Sequence, residues 1–337
     1  MPFIKISSST GEVNFHYIIS TPTCSNAEQI DPQLPVLLFF HSFAFHNIFH
    51  SQFCSPLLRE FNLLVFDLRW HGDTKSDTIP SRYGQNEAAE DVIAFMNALQ
   101  LPPCHFVAMD IGSLIALEIC VTEPWRALSL IIMSHICLDE IPDVQRARTE
   151  LCSLFTSGIP GAQEDCAIGY TQYFFSTNMT SLGKALYDSA LVVNLRNWSP
   201  DHFREYWLST HEIFVHRKAQ TQAALTKISC PVKLLHGGNN IVYSTSYSEE
   251  LLKAMQQAGI DVSLEVIPNA PHYMCVDYGE QINSVIYNFT TSQLKQTLYR
   301  PTDVVSPWDA TLRECGWDPD RKNEFDDEWI TISIPLN

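Results

Sequence analysis

Short apolar runs that alternate with amphipathic helical segments constrain the fold of this chain more than any other feature. The runs are strand-length and largely apolar, which is typical of strands buried on both faces. Strands separated by helices form βαβ units, whose strands lie parallel in one sheet. The sequence therefore predicts an α/β fold, with a mostly parallel central sheet and helices on both of its faces. The strand-like runs lie at residues 34–40, 62–67, 104–108, 127–133, 231–235 and 262–267.

The segment 138–226 interrupts this alternation. It is compatible with helix and rich in aromatic residues, and strand-like runs resume after it. We therefore expect one α/β domain, formed by residues 1–137 and 227–298, with 138–226 inserted into it as a helical cap. Residues 299–337 form an acidic C-terminal extension, and its three tryptophans predict that it packs on the core.

The charge balance excludes some classes of partner. The 337 residues include 38 acidic and 21 basic ones, for a net charge of −17, so a nucleic-acid backbone or an anionic membrane would repel the chain. The longest apolar runs are too short to span a bilayer, and the N-terminus lacks a signal-peptide core. We expect a cytoplasmic protein with neither cofactor nor bound metal, since the sequence contains no motif for either. The oligomeric state stays open.

A single strand-to-helix turn carries an acid at its centre. In Ala108-Met-Asp110-Ile-Gly112, small residues flank Asp110 at both ends, as a sharp turn requires. Such a turn places Asp110 above the sheet at a helix N-terminus, where backbone N–H groups favour negative charge. An N-cap aspartate in an ordinary strand–turn–helix unit is the alternative interpretation.

Three further segments follow strands in a set order. His41-Ser-Phe-Ala44 follows the first buried run, Asp67-Leu-Arg-Trp-His-Gly72 follows the second, and Pro268-Asn-Ala-Pro-His272 follows the last. With the turn at Asp110, they resemble the oxyanion loop, the Asp-x-Arg-Gly-His-Gly turn and the histidine loop of the α/β-hydrolase superfamily. The resemblance covers roughly residues 10–298.

The resemblance implies a site as well as an α/β-hydrolase fold. Asp110 occupies the nucleophile's position, and His272 that of the catalytic histidine. The backbone N–H groups of Phe43 and Ile111 would form the oxyanion hole. The order of nucleophile, acid and histidine along the chain is the order of this fold.

The third catalytic position departs from the superfamily. Where members have an acid in His-Gly-x-x-Asp, this chain has His236-Gly-Gly-Asn-Asn240. The amide oxygen of Asn240 could accept a hydrogen bond from the ring of His272, but it cannot compensate an imidazolium charge. Asp139 or Glu140, after the sixth strand, would partner His272 only if their loop folds back.

An aspartate in this turn resembles epoxide hydrolases and haloalkane dehalogenases, and Ile111, where dehalogenases have a tryptophan, favours the epoxide hydrolases. In that branch, the carboxylate attacks an sp3 carbon to form an ester, and the histidine activates the water that cleaves it. The resemblance implies hydrolysis of an epoxide, or of an ester or lactone, with Asp110 as nucleophile and His272 as base. Cap tyrosines donate the proton in that family, and Tyr170 and Tyr173 are candidates here, as are Tyr187 and Tyr206.

The aromatic insertion predicts an apolar pocket between cap and core, for a small to medium hydrophobic substrate. We expect His41, Trp198 and Trp207 to bind the substrate there, together with Tyr170 and Tyr173. Two other functions fit the same residues. Asp110 and His272 could catalyse an elimination, isomerisation or cyclisation without an ester, or the chain could be a binding protein that has lost turnover.

Overall fold

The sheet of the computed structural model, which describes residues 2–176, 179–294 and 298–320, confirms the predicted fold class. Its eight strands lie in the order β1-β2-β4-β3-β5-β6-β7-β8. β1 pairs antiparallel with β2, and β2 with β4, while the neighbours from β4 to β8 pair in parallel. The strands are β1 (Phe3–Ser8), β2 (Gly11–Ser20), β3 (Val36–Phe40), β4 (Asn62–Phe66), β5 (Cys104–Met109), β6 (Ala127–Met133), β7 (Val232–Gly237) and β8 (Val262–Ile267).

The central strands are covered on both faces. Every residue of β3, β4 and β5 is buried, which explains why their sequences are continuous apolar runs instead of alternating ones. The carboxyl ends of β3 and β5 lie side by side, because these strands pair directly in the sheet. Ligands bind at this edge in open α/β sheets, so the sheet brings the loops after β3 and β5 to one place.

Helices flank the sheet before and after a long insertion. None of the helices in the described residues is both long and apolar enough to cross a membrane. They are α1 (His50–Phe53), α2 (Gln85–Ala98), α3 (Ile111–Thr122), α4 (Pro142–Phe155), α5 (Ala162–Phe175), α6 (Ser181–Asn197), α7 (Phe203–Trp207), α8 (Ile213–Val215), α9 (Gln222–Leu225), α10 (Thr245–Gln257), α11 (Met274–Asp277), α12 (Gly279–Thr291) and α13 (Asp309–Glu314).

Helices α4 to α9, which we call the inserted helices, lie between β6 and β7 in the chain. Their aromatic residues pack against one another, as where Phe155 stacks on Tyr206 with ring centroids 4.0 Å apart. They also pack on the loop after β3, where the Phe43 and Tyr170 rings are 5.0 Å apart. The aromatic residues of the inserted helices therefore form the core of the insertion and its contact with the sheet domain.

Residues 298–320 pack against the sheet domain. Trp308 lies against Phe53, with ring centroids 5.1 Å apart, and Trp317 against His50 at 4.5 Å. The buried Arg59 donates from Nη1 to the carbonyl of Val305 at 3.0 Å. The remainder of the predicted extension, 321–337, which includes Trp329, lies outside the described residues.

Candidate active site

Asp110 lies in a strained turn between β5 and α3. Its backbone has φ 50° and ψ −120°, a region that L-residues rarely adopt and that is found at functional sites. Gly112 permits the turn, since a Cβ there would lie 2.4 Å from the carbonyl oxygen of Phe40. The side chain of Asp110 is fully buried, at the carboxyl end of the central strand β5.

Four groups surround the Asp110 carboxylate. The Phe43 N–H donates to Oδ2 at 3.3 Å, and the Tyr273 hydroxyl, which donates to the Phe43 carbonyl at 2.9 Å, lies 3.5 Å from the same oxygen. On the other side, the Tyr173 hydroxyl lies 3.5 Å from Oδ1, and His272 Nε2 lies 3.6 Å from it. The two oxygens therefore differ: Oδ2 faces a backbone N–H and the Tyr273 hydroxyl, and Oδ1 faces the side chains of Tyr173 and His272.

The charge states around Asp110 follow from its surroundings. Burial raises the pKa of Asp110, but the nearby His272 and Arg148 and the Phe43 N–H lower it, and the net pKa lies below its usual range. Burial and the charge of Asp110 raise the pKa of Tyr173 well above its usual value. At neutral pH the site therefore holds an ionised carboxylate beside a protonated phenol.

The loop after β3 holds Phe43 in place. Ala44 has a positive φ of 65°, which fits a tight turn at the end of the strand, and Phe43 is buried against Trp198 of the insertion. Ile111, the other predicted oxyanion residue, is buried as the first residue of α3, directly after Asp110.

His41 does not line a binding site as predicted. It is fully buried beneath the loop, where Nδ1 donates to the Ser42 carbonyl at 2.6 Å and Nε2 accepts from the Leu68 N–H at 2.8 Å. Burial lowers its pKa to about 4, so the ring is neutral. Both ring nitrogens are engaged by backbone groups, which gives His41 a role in fixing the loop.

The loop after β8 brings His272 to Asp110. It passes so close to the end of β7 that a Cβ at Gly237 would lie 2.3 Å from the Pro271 carbonyl oxygen, which explains the glycine there. The Ser134 hydroxyl donates to the His272 carbonyl. Together these contacts fix the backbone of His272, whose ring is fully buried.

Asn240 contacts the other nitrogen of His272, but through the opposite end of its amide from the one predicted. Asn240 Oδ1 accepts from the N–H groups of Val242 and Tyr243, both at 3.1 Å. Two backbone donors fix this orientation, because a flipped amide would set its own N–H groups against them. Asn240 Nδ2 therefore faces His272 Nδ1 at 2.8 Å and donates to it.

This contact determines which nitrogen of His272 carries the proton. An Nδ1 that accepts a hydrogen bond has no proton of its own, so the neutral ring carries it on Nε2. Nε2–H then points toward Asp110 Oδ1 at 3.6 Å, a separation too long for a good hydrogen bond. In this tautomer His272 is a proton donor toward Asp110.

The alternative acids do not reach His272. The Glu140 side chain is buried and binds Arg217, with Oε2 2.9 Å from Nη1 and Oε1 3.2 Å from Nη2. It also accepts from the Tyr243 hydroxyl at 3.2 Å. Asp139 is exposed. Of the three candidates, Asn240 is the one in contact with the ring.

Sequence reasoning missed two residues of the site. Tyr273 follows the histidine directly, and Arg148 lies on α4, 4% exposed, with its guanidinium carbon 3.8 Å from the centroid of the Phe214 ring. A signal for Arg148 was present, because Arg148, Cys152 and Phe155 share the buried face of α4 at spacings of four and three residues.

The predicted aromatic residues divide between the interior and the outer part of the insertion. Trp198 and Tyr170 line a small cavity of about 30 Å³ beside Phe43, whose lining among the described residues includes neither Asp110 nor His272. Trp207 lies elsewhere, against His211 and with Nε1 3.2 Å from the Thr156 hydroxyl, which corrects its assignment to the pocket. The described residues bring together no group of three side chains suited to bind a metal.

Comparisons with known proteins bear on the family of the chain and on its fold. A sequence profile described as "Alpha/beta hydrolase family" matches residues 37–285. The chain is 22% identical to Epoxide hydrolase 3 of Siraitia grosvenorii over 66% of this chain and 81% of that protein. It is 23% identical to a pimeloyl-[acyl-carrier protein] methyl ester esterase of Nitrosospira multiformis over 76% and 94%.

A solved structure shares the fold. A putative aryl esterase from Burkholderia cenocepacia matches with a TM-score of 0.67 and 14% identity, over 88% of this chain and all of that one. The family profile covers well over half of the chain, from β3 to the helix after the histidine loop. The chain therefore belongs to the alpha/beta hydrolase family.

Proposed function

We propose that this protein is an enzyme that opens an epoxide in a small to medium hydrophobic molecule, with Asp110 as the nucleophile. One observation carries the proposal: the buried, ionised carboxylate has Oδ2 on the Phe43 N–H and Oδ1 beside the Tyr173 hydroxyl. A carboxylate so placed has one oxygen held for the later oxyanion and the other free to attack. The similarity to an epoxide hydrolase supports the same chemistry.

The first step uses Asp110 and Tyr173. Oδ1 forms a bond to an epoxide carbon, the carbon–oxygen bond of the ring breaks, and the Tyr173 hydroxyl gives its proton to the released oxygen. The product is an ester of Asp110 and a phenolate at Tyr173. The inserted helices serve as a cap in this scheme, since α5 supplies Tyr173 and their aromatic residues form the apolar wall.

The second step needs a base for water, and His272 meets that need poorly. Water must attack the ester carbonyl while the Phe43 N–H holds the negative charge on Oδ2. His272, with its proton on Nε2, has no lone pair toward that water until the contact with Asn240 is broken. We therefore infer that hydrolysis of the ester is the slow step.

The same contact favours a second candidate function, a non-hydrolytic enzyme. With Asp110 as base and the Nε2–H of His272 as proton donor, the site can move a proton from one atom of a substrate to another without forming an ester. Isomerisation, elimination and cyclisation are reactions of this kind.

Styrene oxide separates the two candidates, because the mass of the product differs. Hydrolysis adds one water and gives a diol, whereas isomerisation to phenylacetaldehyde leaves the mass unchanged. We expect the diol, formed through a transient ester, and loss of all turnover in Asp110→Asn. The control Asp77→Asn, which removes an exposed carboxylate, should act as the wild type does. Phenylacetaldehyde as the product, or full activity in Asp110→Asn, would overturn the epoxide proposal.

A further inference from the structure

Two buried arginines share one glutamate near the site. Arg217, with no exposed side-chain area, makes a two-point ion pair with Glu140. It also donates to the carbonyls of Cys137 and Phe214 at 2.9 and 2.7 Å. The charges of Glu140 and Arg217 thus cancel, and the hydrogen bonds of Arg217 are satisfied within the protein. Arg148 therefore has no close ion pair within the described residues.

The Arg148 guanidinium is buried but poorly bonded. Nε lies 3.7 Å from Glu140 Oε2 and makes no hydrogen bond in the described part of the chain. Nη1 reaches the Thr210 carbonyl at 3.5 Å, the limit of a hydrogen bond. A guanidinium has five N–H groups, and a buried N–H without a hydrogen bond, such as that of Arg148 Nε, costs free energy.

The position of Arg148 links it to the reacting groups. Its guanidinium carbon lies 5.7 Å from the centroid of the Tyr173 ring, and the hydroxyl of that ring lies 3.5 Å from Asp110 Oδ1. Within the described residues, Asp110 itself stays beyond ion-pair distance of Arg148. Tyr173 therefore lies close to both the Arg148 guanidinium and the nucleophile.

We propose that Arg148 binds a carboxylate of the substrate, while the reacting carbon of that substrate lies at Asp110. A carboxylate matches the fork of a guanidinium with two parallel hydrogen bonds, and burial strengthens such a pair. This inference rests on the proposed function, since it requires the substrate to occupy the Asp110 site. It narrows the substrate class to hydrophobic acids.

Binding of two small probes tests the proposal without any turnover. 3-Phenylpropionate and 3-phenylpropionamide have the same shape and differ in charge, and calorimetry gives the Kd of each. We expect the wild type to bind the acid about 10- to 100-fold more tightly. Arg148→Met should abolish the preference, and Arg148→Lys should keep part of it. Arg146→Met, a change on the exposed side of the same helix, should leave the preference intact.

Equal binding of acid and amide by the wild type, or a preference that survives in Arg148→Met, would overturn the proposal. It would assign Arg148 to balancing the charge of Asp110. Folding of each variant is checked by circular dichroism, and Arg148→Lys provides the test if Arg148→Met does not fold. Turnover of styrene oxide is measured separately. Acid binding without epoxide turnover would refute the epoxide step alone, and turnover without an acid preference would refute the Arg148 site alone.

Discussion

Replacing Asn240 with aspartate should convert His272 from a proton donor into a base. In the wild type, Asn240 Nδ2 donates to His272 Nδ1 at 2.8 Å, and Oδ1 is held by two backbone N–H groups at 3.1 Å. In Asn240→Asp, one carboxylate oxygen keeps those two donors and the other faces Nδ1. Two lone pairs cannot share that contact, so the ring proton moves to Nδ1 and frees Nε2 toward Asp110.

The expected gain in the rate of ester hydrolysis can be estimated from the loss of kcat that the wrong histidine tautomer causes in another enzyme. In a serine protease triad, an amide in place of the carboxylate lowers kcat by about 10,000-fold because the histidine is held in the wrong tautomer. That factor corresponds to about 5.5 kcal/mol in activation free energy. Asn240→Asp is the reverse change at the same place in the site. We therefore expect ester hydrolysis to accelerate by about 100- to 10,000-fold.

Rapid-mixing experiments with styrene oxide measure this change. The wild type should consume about one equivalent of epoxide in a fast phase and then turn over slowly, while the ester accumulates. Asn240→Asp should show a faster steady state and no accumulated ester. Asn239→Asp is the matched control, because it adds the same charge at the neighbouring exposed position and has no contact with His272 in the described structure. Slow turnover that persists in Asn240→Asp, or an equal gain in Asn239→Asp, would refute the tautomer argument.

Three further changes test other parts of the structure. Tyr173→Phe removes the hydroxyl beside Oδ1 and should slow ester formation about 100- to 10,000-fold in rapid-mixing experiments. The control Tyr287→Phe, at a distant half-buried site, should leave that rate unchanged. Similar rates in the two variants would exclude Tyr173 as the proton donor. Gly112→Ala places a methyl group 2.4 Å from the Phe40 carbonyl oxygen, so urea titration should show a loss of about 1–3 kcal/mol in unfolding free energy, and an unchanged midpoint would contradict the packing. Burial raises the pKa of Asp277 to about 6, so the folded protein holds a proton that the unfolded chain has lost, and stability falls as the pH rises from about 4 to 6. Asp277→Asn should therefore raise the unfolding free energy by about 1–3 kcal/mol at pH 8 and by little at pH 4, and an equal change at both values would contradict the raised pKa.

The sheet and the meeting of Asp110, His272 and Asn240 could be predicted because they depend on local patterns. Apolar runs define the strands, small residues around Asp110 define the turn, and the order of the loops along a parallel sheet brings their ends together. Each of these features is determined by a short stretch of sequence, and their meeting requires only that the strands lie in this order in the sheet.

The orientation of the Asn240 amide and the placement of Arg148 could not be predicted in the same way. The amide end is chosen by the N–H groups of Val242 and Tyr243, whose direction depends on how the loop turns after β7. Arg148 lacks a close ion pair because Glu140 pairs with Arg217 instead. Arg217 lies 69 positions after Arg148 in the chain, so no local pattern indicates this pairing. Trp207 was misplaced for a related reason, since aromatic content does not say which side of a helix faces the interior.

A covalent ester at Asp110 is the most direct test of the central claim. The protein is mixed with styrene oxide, and the reaction is quenched after a single turnover. The protein is then digested, and the mass of the peptide that contains Asp110 is measured by mass spectrometry. A parallel sample turns over repeatedly in heavy-oxygen water. Addition of one styrene oxide to Asp110, followed by heavy oxygen in its carboxylate, is the predicted result. An unmodified peptide in the first sample and an unlabelled Asp110 in the second would contradict the assignment of Asp110 as the nucleophile.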